Sequence, residues 1–256
     1  MFFEVSALTK RFGGLTAVAD ISFSIARGEI VGVFGPNGSG KTTLLNLISG
    51  IYPPTAGQLI WKDLPLNGHP PHEVAELGIV KTFQNPQLFQ ELSVAEHLWI
   101  AAHLRLKRAL GVRRIATLAS PARHDESLRQ KVDNVLQLCR LTELRDEAAA
   151  SLAYGDEKML GVAMALMCEP QLLLLDEPTT GLGQDEIQNL DGVLRDLRAH
   201  GTTLCIIDHK VAFLGGLADR AIAMHHGNKI AEGPPSAVLA DAAVVEAYLG
   251  RHHARA

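Results

Sequence analysis

Gly35-Pro36-Asn37-Gly38-Ser39-Gly40-Lys41-Thr42 decides how the rest of the chain is read. Every fixed position of the pattern G-x-x-x-x-G-K-[ST] is filled. The stretch follows a continuous apolar run, Ile30 to Phe34, and precedes a helical pattern from Thr42 to Ser49. That is the context a phosphate-cradling loop requires. Glycines let consecutive N–H groups turn inward toward phosphate oxygens. The following helix adds its dipole and unpaired N–H groups. Lys41 supplies a positive charge for the β- and γ-phosphates, and Thr42 a hydroxyl for Mg²⁺.

Downstream, Leu172-Leu173-Leu174-Leu175-Asp176-Glu177 is an apolar strand that ends in two acids before Pro178. Such a strand delivers its acids to the carboxyl edge of a parallel sheet, where open α/β folds bind ligands. Asp176 is placed to hold Mg²⁺, directly or through water. Glu177 can turn toward an attacking water as general base.

Around these two motifs the chain alternates. Ile21, Phe23 and Ile25 point one way and Ser22, Ser24 and Ala26 the other, as in a half-buried strand. Further strands are expected at Gln58 to Trp61, Ile79 to Phe83 and Leu204 to Ile207, with a turn region from Gly50 to Gly57. From about Ser93 to Leu166 the apolar spacing is helical, as at Val132, Val135, Leu136, Leu138 and Cys139, which predicts a helical insert. Strands alternating with helices imply a mostly parallel sheet.

Composition bounds the rest. The 256 residues are 47% hydrophobic and 20% charged, an ordinary globular balance that excludes collagenous, disordered and disulfide-scaffold classes. A net charge of -4 gives no reason to expect nucleic acid as a partner. Cys139, Cys168 and Cys205 are widely spaced and form neither a metal pair nor a disulfide framework. No apolar run reaches the ~18–20 residues of a membrane span. The N-terminus, Met1-Phe2-Phe3-Glu4, has no basic segment leading into an apolar one, so a soluble intracellular chain is expected. Arg105 to Lys131 carries eight Lys or Arg and two acids. It reads either as a solvated loop or as a surface facing lipid head groups or an anionic partner.

Ser151-Leu152-Ala153-Tyr154-Gly155-Asp156 resembles the signature, usually written LSGGQ, of ABC ATPases. The resemblance runs from Phe3 to about Gly250. Within that family the chain is most similar to the ATP-binding subunits of branched-chain amino-acid importers. The resemblance rests on Lys10-Arg11-Phe12-Gly13-Gly14-Leu15, on Leu152 to Asp156, on the insert from Arg105 to Arg123, and on Glu246-Ala247-Tyr248-Leu249-Gly250. It implies an α/β P-loop NTPase of the ABC ATPase fold. That fold has a RecA-like parallel-sheet core, an N-terminal antiparallel β subdomain and a helical subdomain at about 90–167. A single ATP-binding domain would span 1–250, with 251–256 as a tail.

The resemblance also implies roles, with ATP and Mg²⁺ as ligands. Phe12 would stack on adenine, though a core aromatic is the other reading. Gly35 to Thr42 and Thr43 would hold the phosphates, and Lys41 would also serve catalysis. Gln84, in Thr82-Phe83-Gln84-Asn85, would contact Mg²⁺ or the water and sense a transmembrane partner; an ordinary surface glutamine is the alternative. His209, after Ile206-Ile207-Asp208, would contact the γ-phosphate. Metal contacts would come from Thr42, Gln84 and Asp176. Ala153, Tyr154, Gly155 and Asp156 would act on nucleotide held by a second ATP-binding subunit.

The implied partners are transmembrane permeases, that second ATPase (a heterodimer favoured, a homodimer open) and, indirectly, an extracytoplasmic binding protein. The implied place is the cytoplasmic face of the inner membrane. The expected cargo is branched-chain amino acids or related small amides and organic acids. An exporter or lipid-transporter ATPase, and a soluble ABC ATPase of an assembly complex, are the alternatives. The chain departs from the family pattern at Ala153 for serine, at Glu157-Lys158-Met159 after the signature, at Gly183 for aspartate or asparagine, and at Asp208 for glutamate.

Overall fold

The computed structural model describes residues 2–110 and 126–249, with side chains described for 2–102 and 126–248. Residues 111–125 of the basic stretch, and with them the insert from 111 to Arg123, lie outside the described residues, as do Gly250 and the 251–256 tail.

Two sheets carry the architecture. The smaller is antiparallel, built from β1 (Phe3–Phe12), β2 (Leu15–Ile25), β4 (Ala56–Trp61) and β5 (Leu64–Pro65) in the order β2-β1-β4-β5. The larger contains β3 (Ile30–Phe34), β6 (Ile79–Lys81), β7 (Leu172–Asp176), β8 (Thr203–Ile207), β9 (Arg220–His225) and β10 (Asn228–Gly233) in the order β10-β9-β3-β8-β7-β6. Its strands run parallel except the β9–β10 hairpin.

Strand parity sorts the core into two layers. Ile30, Phe34, Leu173, Leu175, Leu204 and Ile206 face one side. Val31, Val33, Leu172, Leu174, Cys205 and Ile207 face the other, where they meet Phe3, Val5, Ile21 and Ile25 of the small sheet. Both faces are therefore buried, which is why these strands read as unbroken apolar runs. The helix after the phosphate loop, α1 (Lys41–Ile48), lies in the second layer through Leu44, Leu45, Leu47 and Ile48.

The middle of the chain is helical as its periodicity predicts: α3 (Val94–Leu110), α4 (Glu126–Leu138) and α5 (Tyr154–Leu166), following the short α2 (Pro71–Glu76). Leu128, Val132, Val135 and Leu136 form the buried stripe of α4. The strand expected at Ile79 to Phe83 stops at Lys81, because Phe83 is exposed and the chain leaves the sheet for Gln84. The last third supplies α6 (Gln184–Ala199), α7 (Val211–Leu217), α8 (Pro235–Ala240) and α9 (Ala242–Leu249).

Candidate nucleotide site

The phosphate loop leaves β3 at the carboxyl edge of the large sheet and is shaped by close backbone contacts. Gly40 has φ +99°, and a Cβ there would lie 2.2 Å from the Ala17 carbonyl oxygen. At Gly35 a Cβ would meet the Met224 carbonyl oxygen at 2.1 Å. Only glycine fits so near to backbone. The loop is also fastened from the β9–β10 turn, where Gly227 N–H donates to Ser39 O across 3.0 Å. Lys41 is buried, and its ammonium donates to the carbonyls of Gly35 (2.8 Å) and Pro36 (3.1 Å).

In front of the loop lies a cleft of about 660 Å³, whose lining includes Lys41, Thr42, Thr43, Glu177 and His209, with Leu15 and Thr16 from the small sheet. The volume suits a small-molecule site of several hundred Å³.

The acidic strand end faces this cleft. Asp176 closes β7 and is buried. Thr42 Oγ1 donates to Asp176 Oδ1 at 3.4 Å, and Lys81 Nζ pairs with Asp176 Oδ2 at 3.1 Å. Lys81 also donates to Asn46 Oδ1. It is the site residue that sequence reasoning passed over, although a lysine closing the apolar pair Ile79-Val80 was a signal. Glu177 turns out of the strand with φ +52°. Its Oε2 accepts from Gln84 Nε2 at 2.9 Å and stands 2.9 Å from His209 Nε2. Three expected residues from three loops thus meet at one oxygen.

Asp208 fixes the spacing of two of those loops. It is fully buried and accepts from Thr179 N–H (3.0 Å), Thr179 Oγ1 (2.7 Å to Oδ2) and Lys210 N–H (2.8 Å). The aspartate before His209 is therefore a brace between the segment after Glu177 and the segment that carries His209.

Two expectations fall elsewhere. Phe12 is 41% exposed and packs edge-on to Tyr52 at 5.3 Å, with Lys10 Nζ 5.0 Å from its ring centre. The cleft lining has Leu15, 66% exposed, and not Phe12. Ala153, Tyr154, Gly155 and Asp156 also stand apart from the lining. Ala153 precedes the first turn of α5, with the other three inside it. Gly155 and Asp156 border a smaller hollow with Gln84 and Asp176. Burial, and then the neighbouring Glu186, raise the Asp156 carboxyl above its ordinary value.

Asp176 and Thr42 are the hard-oxygen pair that suits Mg²⁺, an ion usually bound through one or two carboxylates plus substrate phosphates. Among the described residues no cluster of three or more His, Cys, Asp or Glu stands ready to hold a metal by itself.

The fold, the loop and the acidic edge converge with sequence comparison. The model of the family described as ABC transporter matches residues 18–180. The chain belongs to the ABC transporter family. As an ABC ATPase it binds nucleotide and hydrolyses ATP. A second family model, described as branched-chain amino acid ATP-binding cassette transporter, matches residues 228–254. The high-affinity branched-chain amino acid transport ATP-binding protein LivG of Salmonella typhimurium is 37% identical over 247 residues, 96% of each chain. The lipopolysaccharide export system ATP-binding protein LptB of Acidithiobacillus ferridurans is 32% identical over 96% of each chain. Among solved structures, the ADP conformation of MJ1267, an ATP-binding cassette of an ABC transporter, superposes with TM-score 0.85 at 30% identity, covering 97% of this ABC ATPase and 98% of that chain.

Proposed function

We propose that this ABC ATPase, one ATP-binding domain over residues 1–250, energises import of branched-chain amino acids or related small amides and organic acids. The observation that carries the catalytic half is the convergence of Gln84 and His209 on Glu177 Oε2, at the edge of the cleft lined by Lys41. Glu177 takes a proton from the water that attacks the γ-phosphorus as the bond to the β-phosphate oxygen breaks. Gln84 and His209 orient that carboxylate. Lys41 places its charge beside the phosphates. Thr42 and Asp176, with Gln84 near, would hold Mg²⁺, which supplies neutralisation of phosphate charge when bound.

Phe12, beside Tyr52, is assigned to the adenine end. Ala153 to Asp156 are assigned to nucleotide on a second ATP-binding subunit, because they stand outside this chain's own cleft and open a helix N-terminus. Among the described residues no helix is long and apolar enough to cross a membrane. Permease subunits would therefore hold the ATPase at the cytoplasmic face of the inner membrane, with an extracytoplasmic binding protein delivering cargo. The match of residues 228–254 to the branched-chain family and the 37% identity to LivG support the import reading over the export one, which has a relative at 32%.

The test is recovery of tagged Glu177→Gln from detergent-solubilised membranes in ATP, with mass spectrometry of the chains that come with it. Two permeases and a second ATPase of the importer type are the expected companions. Export permeases, or soluble partners alone, would overturn the import reading.

A further inference from the structure

Tyr154 is 42% exposed, yet it is held from three sides. Its ring lies against the backbone of Gly181, where a Cβ would stand 2.5 Å from Tyr154 Cε1. Gly181 has φ +83° in the loop between Glu177 and α6. The Tyr154 hydroxyl reaches Asn85 Oδ1 at 3.4 Å, next to Gln84. Lys158, one turn on in α5, is buried and among the described residues makes no hydrogen bond through Nζ. That ammonium stands 5.4 Å from the Tyr154 ring centre. A desolvated cation over an aromatic face holds the ring in place. One residue on, Glu186 presses Oε1 onto Gly155, where a Cβ would lie 2.2 Å away, while Oε2 accepts from Gly183 N–H at 2.7 Å.

We propose that Tyr154 is a positioning residue: it ties the first turn of α5 to Asn85 on one side and to Gly181 on the other, with Glu186 as a parallel tie. Displacement of Gln84 or Glu177 in the chain's own cleft is then felt at the α5 N-terminus, the surface assigned to the partner's nucleotide. The inference rests on that assignment for its meaning, but the ties themselves belong to the single chain.

Hydrogen–deuterium exchange on the isolated full chain tests them without any partner or turnover. Tyr154→Phe keeps the ring on Gly181 and loses the hydroxyl; it should speed exchange in residues 83–90 and leave 179–186 protected. Tyr154→Gly should speed exchange in both segments, so Phe restores one segment and not the other. Tyr154→Leu, which keeps bulk but offers no aromatic face to Lys158, serves if the glycine variant does not fold. Exchange altered only in residues 150–160 would overturn the proposal. In the complex with its partner subunits, Tyr154→Gly should lower turnover ~10–100-fold, as small misplacements do. If the import assignment fails, the exchange pattern is unaffected.

Discussion

Gln84 Nε2 donates to Glu177 Oε2 across 2.9 Å, although one residue follows β6 and the other follows β7. Glu177 is thus oriented by a loop that leaves the sheet toward the helical region. Glu177→Gln should retain ATP binding and lose turnover ~10²–10⁴-fold, the usual worth of a positioned base. Gln84→Ala leaves the carboxylate and removes only its orientation, so its loss should be smaller. Steady-state phosphate release with parallel nucleotide titration checks both; equal losses would mean that Gln84 does more than orient.

Lys81 and Asp176 form a buried ion pair, 9% and 6% exposed. Removing one partner of such a pair leaves a buried charge, at a cost of about 3–5 kcal/mol. Lys81→Met should therefore lower the urea midpoint substantially, and Mg²⁺ with nucleotide should recover part of the loss. A midpoint unchanged in their absence would show that Asp176 is compensated by other groups.

Asp208→Ala should remove the acceptor for Thr179 N–H and Lys210 N–H together. About 1–3 kcal/mol of stability is expected to go, chiefly because Thr179, which is buried, is left without its partner. Turnover should fall more than nucleotide affinity, because the 2.9 Å approach of His209 to Glu177 depends on that brace. Thermal melting and phosphate release together separate the two effects.

Burial pushes the thiols of Cys139 and Cys205 from 9.0 to about 12. Both should resist thiol reagents at pH 8 in the folded chain, leaving at most Cys168 to react, and all three should react in urea. In the window from 9.0 to about 12 the unfolded chain loses these protons and the folded chain keeps them. Stability contributed by the neutral thiols is therefore lost as pH rises through that window. A reagent count of two or more in the native chain at pH 8 would contradict this.

The sequence made the sheet core legible because β3, β7 and β8 are buried on both faces, and burial on both faces leaves an apolar run. The phosphate loop and the acidic strand end were legible for a related reason: each is local, with its chemistry within a few residues. Lys81 was not, because its meaning comes from Asp176, which reaches it only through the pairing of β6 with β7. Asp208 read as a mild exchange for glutamate until Thr179 stood against it. The placement of Phe12 beside Tyr52 depends on a contact between the end of β1 and the turn region before β4, which no local pattern encodes. α6 carries a plain helical stripe, Leu190, Val193, Leu194 and Leu197, whereas the β9–β10 hairpin takes its place only through the pairing of β9 with β3.

The phosphate loop has one more property that follows from its supports. β3 is flanked by β8 and β9, Gly35 packs on Met224, and Ser39 is capped by Gly227. All of these partners lie more than 150 residues downstream of the loop. On the ribosome the loop emerges early and its walls emerge late. A nascent chain that ends before β9 carries the full motif without the scaffold that shapes it, so nucleotide capture waits for β9 and the turn that follows it.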